Sequence, residues 1–167
     1  MFEVSFIQPS QRVLINNNGS LTVEDNKDSE NKGTISGSGN GLIVVGGPSS
    51  PGGSSTGAGT FTLNSGNIKI TGNQSAVQVA VNNSIVNING GTINAQSIGI
   101  NVSSYIGSKV EIKGGKIDVT GTSADDVAVK DINGNTINMM DPGSDSTDLW
   151  SEYNWANTSQ LVYYKVG

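Results

Sequence analysis

The chain has 167 residues, with 9 Lys+Arg against 14 Asp+Glu, and it contains neither cysteine nor histidine. That length suffices for one domain with a buried core, and the missing residue types exclude a disulfide framework, thiol chemistry and imidazole-based catalysis or metal binding. A net charge of −5 argues against non-specific binding to nucleic acid or to an anionic membrane, and no stretch is long and apolar enough to span a bilayer. The 23 glycines and 20 asparagines point to turn chemistry repeated many times.

The opening MFEVSFIQPSQR has no basic n-region and no apolar h-region of signal-peptide length. The chain is therefore expected either to be made without a leader or to be a piece of a larger exported protein. Phe2–Ile7 alternates apolar and polar residues, so residues 1–12 are expected to cap or contact one end of the repetitive region that begins at Val13.

From Val13 to Met140, short alternating runs of β-branched residues recur in three kinds and in fixed order. The first kind carries inward pairs Val13/Ile15, Ile43/Val45, Val77/Val79, Ile100/Val102 and Val127/Val129. The second carries Leu21/Val23, Phe61/Leu63, Val86/Ile88, Val110/Ile112 and Ile137/Met139. The third carries Ile35 alone, then Ile68/Ile70, Ile93/Ala95 and Ile117/Val119. VNINGGTINA recurs as VEIKGGKIDV, so Ile88 and Ile93 are answered by Ile112 and Ile117, 24 residues on. Repetition at that period means stacked coils, and parallel crossovers make a right-handed helix of strands the default. The expected fold is all-β: a three-sided right-handed parallel β-helix of four to five coils over residues 13–140. At roughly 4.8 Å per strand its body stands about 20–25 Å tall.

Turns separate the coils. Asn64-Ser65-Gly66, Asn89-Gly90-Gly91 and Lys113-Gly114-Gly115 form one constant turn, where glycine supplies positive φ. The first coil replaces it with the polar excursion Asp25–Gly33. The second coil carries the longer Gly46–Thr60, read as a surface loop because no lysine and no helix follow to make a phosphate cradle. After Met140 the pattern stops. Residues 141–167 hold Trp150, Trp155, Tyr153, Tyr163 and Tyr164, and they are expected to cap the solenoid end or meet another subunit, with Leu161–Val166 as a last strand.

The phrases GSLTVEDN, KGTISGSGNGLIV, GTFTLNSGNIKI, SAVQVAVNNSIVNINGGTINA and SKVEIKGGKIDV resemble the pectate-lyase-like β-helix repeats of surface and phage proteins of Gram-positive bacteria. The resemblance covers about residues 13–140 and implies architecture, since such repeats serve enzymes, adhesins and virion parts alike. Residues 141–167 carry no such resemblance.

Solenoid lyases and hydrolases of that kind need grouped carboxylates on an outer face, often with calcium, and arginine or lysine as base. Here the outward positions are Thr62, Asn87, Glu111 and Asn138 on the second side, and Lys69, Asn94 and Asp118 on the third. On the first they are Val44, Gln78, Asn101 and Ala128. No two carboxylates stack on adjacent coils, and Arg12 is the single arginine. Asp125-Asp126 and Asp145/Asp148 read as solvated loop acids. Asp131–Asn135 begins like an EF-hand loop but has Thr136 and Pro142 where glycine and glutamate are required. No catalytic activity, cofactor or metal is expected. The asparagines Asn87, Asn89, Asn94 and Asn101 are read as ladder and turn residues.

The expected function is that of a non-catalytic structural protein of a phage virion, a capsid decoration or short fibre at the virion surface, trimeric and bound to other virion proteins. The alternative is a fragment of a bacterial cell-surface or extracellular adhesin, or a polysaccharide-binding β-helix protein. There Trp150, Tyr153, Trp155 and Tyr105 would stack on bacterial or mucosal glycans.

Overall fold

A computed structural model describes residues 3–6, 12–25, 33–38, 41–47, 57–102, 107–123, 126–130, 136–139 and 162–163; these form sixteen strands, with no helix among them. In chain order they are β1 (Glu3–Phe6), β2 (Val13–Ile15), β3 (Ser20–Val23), β4 (Thr34–Ser38), β5 (Ile43–Val45), β6 (Thr60–Leu63), β7 (Asn67–Thr71) and β8 (Ser75–Val79). The remainder are β9 (Ile85–Ile88), β10 (Thr92–Ala95), β11 (Ile98–Asn101), β12 (Lys109–Ile112), β13 (Lys116–Val119), β14 (Val127–Lys130), β15 (Thr136–Met139) and β16 (Val162–Tyr163).

Every third strand falls in the same sheet. The first sheet is β2-β5-β8-β11-β14, the second β3-β6-β9-β12-β15 and the third β1-β4-β7-β10-β13-β16. All neighbours run parallel except β16, which lies antiparallel on β13. One strand from each sheet makes a coil, so four complete coils (β2–β4 to β11–β13) and a partial fifth build a three-sided right-handed parallel β-helix.

Alternation dictates what faces inward, and the register stacks like on like. Leu21, Phe61, Val86, Val110 and Ile137 occupy one column of the second sheet, and Val23, Leu63, Ile88, Ile112 and Met139 the next. Ile35, Ile68, Ile93 and Ile117 form the matching column of the third. In the central coils these side chains are fully buried, each removal from water being worth roughly 1.5–3 kcal/mol. Val13, Leu21, Val23 and Ile35, in the first complete coil, are only partly buried, as expected where a coil has a full neighbour on one side alone.

From the second coil on, the turn from second to third sheet keeps three residues and ends on a glycine, whereas the first coil has ten residues between β3 and β4. Gly66, Gly91 and Gly115 have φ of 91°, 76° and 84°. Their role is also spatial: a Cβ on Gly115 would lie 2.6 Å from the Gly91 carbonyl oxygen, which accepts the Lys116 N–H at 2.9 Å.

The structure departs from the alternation reading in the first sheet. Ile100 pairs with Val129 and Ile98 with Val127, so β14 sits two residues from the alignment that matches Ile100 to Val127. Lys130, opposite Asn101, takes the outward position assigned to Ala128, and Ala128 is fully buried. A shift of two preserves parity, so alternation cannot detect it. Ala76, Gly99 and Ala128 instead share a buried position that admits only small residues: a Cβ on Gly99 would lie 2.5 Å from the Ala128 carbonyl oxygen and from Ile117 Cγ2. Val44 also stands at an outward position yet is buried. At the other end, Glu3–Phe6 pairs in parallel with β4 as the first strand of the third sheet.

Gly72 also has positive φ (100°), but nothing lies within 4 Å of its missing Cβ. Gly72→Ala should therefore lose only about 1–2 kcal/mol of backbone strain, and Gly115→Ala about 3 kcal/mol or more. Urea unfolding of the two variants checks this; equal losses would mean that coil-to-coil contact at Gly115 is unimportant.

Candidate functional site

The outer faces differ in how far their amide side chains are engaged with neighbouring coils. On the second sheet, Thr22, Thr62, Asn87, Glu111 and Asn138 form one outward column. Asn87 Nδ2 donates to Thr62 Oγ1 at 3.3 Å, and at the adjoining turn Asn89 Nδ2 donates to Asn64 Oδ1 at 2.9 Å. These amides act as the ladder expected of them, holding one coil to the next.

Glu111 on β12 and Asp118 on β13, both outward, lie on different sheets of the same coil. Glu111 sits between Lys109 and Lys113, two residues away on either side and so on the same face; the Lys113 contact is 3.1 Å. Hydrogen bonds from Lys109 and then Lys113 hold its carboxyl below the ordinary glutamate value, against the opposing effect of desolvation. On β13, Asp118 Oδ2 pairs with Lys116 at 2.7 Å, while Oδ1 is buried with no hydrogen-bond partner. Asn94 is in register with Asp118 on one side and Lys69 on the other.

A groove of about 780 Å³ opens where the third sheet turns into the first. Three coils contribute: Lys69 and Asn73 from one, Asn94 and Gln96 from the next, Thr120 and Asp126 from the third. The corner is held by backbone contacts between coils, Gly121 N–H to the Gln96 carbonyl at 2.7 Å and Thr120 N–H to the Ala95 carbonyl at 3.0 Å. Gln96 Oε1 accepts the Gly72 N–H at 2.9 Å, which fixes the amide and directs its Nε2 donors elsewhere. Asp126 Oδ2 accepts the Ser123 N–H at 2.7 Å. Lys69, Asn73 and Asn94 make no side-chain hydrogen bond or ion pair among the described residues.

The aromatic residues singled out from the sequence are placed differently. Trp150, Tyr153, Trp155, Tyr164 and Tyr105 lie outside the described residues, as do Asp125, Asp131–Asn135, Asp145 and Asp148. Tyr163 belongs to β16, its backbone opposite Lys116, with Val162 opposite Ile117. Among the described residues the groove carries no aromatic side chain and no carboxylate pair, so a search for sugar platforms or acid–base pairs passes over it. Its one sequence signal is a polar corner in three successive coils, TGNQ, QS and TGTSADD. Among the described residues no group of three or more His, Cys, Asp or Glu could hold a metal ion.

The class defined by this architecture is the parallel β-helix. In comparisons with known proteins, no family model, no curated protein and no solved structure matches the chain.

Because the Glu111 pKa is lowered in the folded state, its contribution to stability is complete above the unfolded glutamate value and is lost as pH falls through the folded value. Glu111→Gln should therefore be less stable than the parent at pH 7 by up to about 1 kcal/mol, since the lysines are largely exposed. The difference should close by pH 3. Urea midpoints of both proteins against pH test this, and a gap that does not change with pH would remove the ion pairs as its cause.

Proposed function

We propose that this chain is a non-catalytic structural protein of a phage virion, a capsid decoration or short fibre. The observation that carries the reading is the coil stack itself. Four complete coils are locked through in-register ladders on three sheets, and the outward carboxylates Glu111 and Asp118 are already paired with lysines of the same coil. Such a body is a stiff rod with a chemically quiet surface, suited to standing exposed on a particle. Its sheets also end in strand edges that need covering. We assign that role to the aromatic residues of 141–167, Trp150, Tyr153, Trp155, Tyr163 and Tyr164, in contact with the solenoid end or with other subunits of a trimer.

Quantitative proteomics of density-purified phage particles, set against the washed cell wall of the same culture, tests the reading. Recovery in fixed stoichiometry with the capsid protein is the expected result. Recovery in the wall fraction, or only as part of a longer polypeptide, would replace the virion reading with that of a bacterial surface adhesin.

A further inference from the structure

We propose that the pair Asn18-Gly19 is a site of spontaneous covalent modification, where the asparagine becomes aspartate or isoaspartate through a cyclic imide. Asparagine is a chemically labile residue, and a following glycine has no Cβ to keep its backbone nitrogen away from the asparagine side chain. Two Asn-Gly pairs lie wholly among the described residues, Asn18-Gly19 and Asn89-Gly90, and both asparagines are exposed. Hydrogen bonding separates them. At the second pair both reacting groups are engaged: Asn89 Nδ2 donates to Asn64 Oδ1 at 2.9 Å, and the N–H of the buried Gly90 donates to the Leu63 carbonyl at 3.2 Å. A coil stacks on either side, so close that a Cβ on Gly114 would lie 2.5 Å from the Asn89 carbonyl oxygen. The first pair lies between β2 and β3, which are the end strands of their sheets. Asn17 and Asn18 turn the chain there with φ of 52° and 61°. The N–H of the half-buried Gly19 is held by one bond, to the Asn16 carbonyl at 2.8 Å. The Asn18 side chain makes no hydrogen bond or ion pair among the described residues.

The reaction needs no partner but water. The Gly19 backbone nitrogen, once deprotonated, attacks Cγ of Asn18. The N–Cγ bond forms, the Cγ–Nδ2 bond breaks, and Nδ2 leaves as ammonia with the proton that Gly19 gave up. Water then opens the ring. Attack at Cγ restores the main chain and leaves aspartate, whereas attack at the main-chain carbonyl carbon of residue 18 leaves isoaspartate, with an extra methylene in the backbone. Either product adds a negative charge to this turn. The isoaspartate form also disturbs the stacking of coils. The Asn18 N–H donates to the Ala58 carbonyl at 2.8 Å, and the Gly19 carbonyl accepts the Thr60 N–H at 3.0 Å, one on each side of the altered link. A longer link cannot keep both in register, so that form loosens the first coil from the second. The chemistry is the same for a virion protein and a cell-surface protein, so it stands or falls separately from the virion reading.

The test is peptide mapping by mass spectrometry of the full chain after incubation at mildly alkaline pH, with digestion in acid so that no imide forms during work-up. Asn18 should gain the mass of an amide-to-acid exchange, as both aspartate and isoaspartate, about tenfold faster than Asn89, whose pair has one more hydrogen bond to open. In urea the two should convert at similar rates, because the fold is what distinguishes them. Asn64→Ala removes the acceptor of the Asn89 amide; it should raise the rate at Asn89 severalfold and leave that at Asn18 unchanged, with far-UV circular dichroism verifying the fold. The separated isoaspartate form should unfold at lower urea concentration than the aspartate form. The proposal is overturned if Asn18 keeps its amide throughout, if Asn18 and Asn89 convert at the same rate in the folded chain, or if Asn18 yields aspartate alone, the product of direct hydrolysis.

Discussion

Every backbone N–H and C=O on a rung of this solenoid must find its partner on the coil above or below, because the rungs face one another across a distance that admits no water. Each coil must therefore return to the same place in the same phase, whatever its length. From the second coil on, the turn from second to third sheet meets that demand with three residues and a positive-φ glycine at Gly66, Gly91 and Gly115, and at Gly91 and Gly115 the neighbouring backbone leaves a side chain no room. The buried position shared by Ala76, Gly99 and Ala128 is a second point of close approach. Length differences are absorbed at the other corners and, in the first coil, between Val23 and Thr34, with the register of the strands on either side kept.

Side-chain chemistry is set by this backbone geometry. Inward columns of isoleucine, valine and leucine fill the interior, and no coil could bury its own without neighbours. Outward positions recur at one strand spacing, near enough for an amide on one coil to bond a hydroxyl or amide on the next, as Asn87 does to Thr62. The carboxylates of Glu111 and Asp118 are paired with lysines of the same coil. In the groove, Asn73 and Gln96 stand at the bend between the third and first sheets, while Asn94 lies on β10 in register with Lys69 and Asp118.

The inward columns were legible in the sequence because period-two alternation in β-branched residues has a single structural meaning. So was the constant glycine turn, since paired glycines at fixed spacing require a backbone that other residues resist. What alternation cannot encode is phase. Val127/Val129 match Ile98/Ile100 as readily as Ile100/Val102, and only the three-dimensional path of the corner at residues 120–126 decides between them. The groove was illegible for a related reason: it arises from the juxtaposition of Asn73, Gln96 and Asp126, which share no spacing and no motif. The opening strand Glu3–Phe6 showed its alternation, yet its membership of the third sheet depends on pairing with Thr34–Gly37, a partner about thirty residues away.

The reversed direction of β16 has an evolutionary consequence. A parallel solenoid grows when the chain returns to its starting side and lays the next strand in the same sense, whereas Val162–Tyr163 runs the opposite way along the edge of β13. On the β13 edge it takes the place that a parallel strand would hold, so a duplicated unit such as residues 86–109 is accommodated between intact parallel neighbours, each added coil raising the stack by about 4.8 Å.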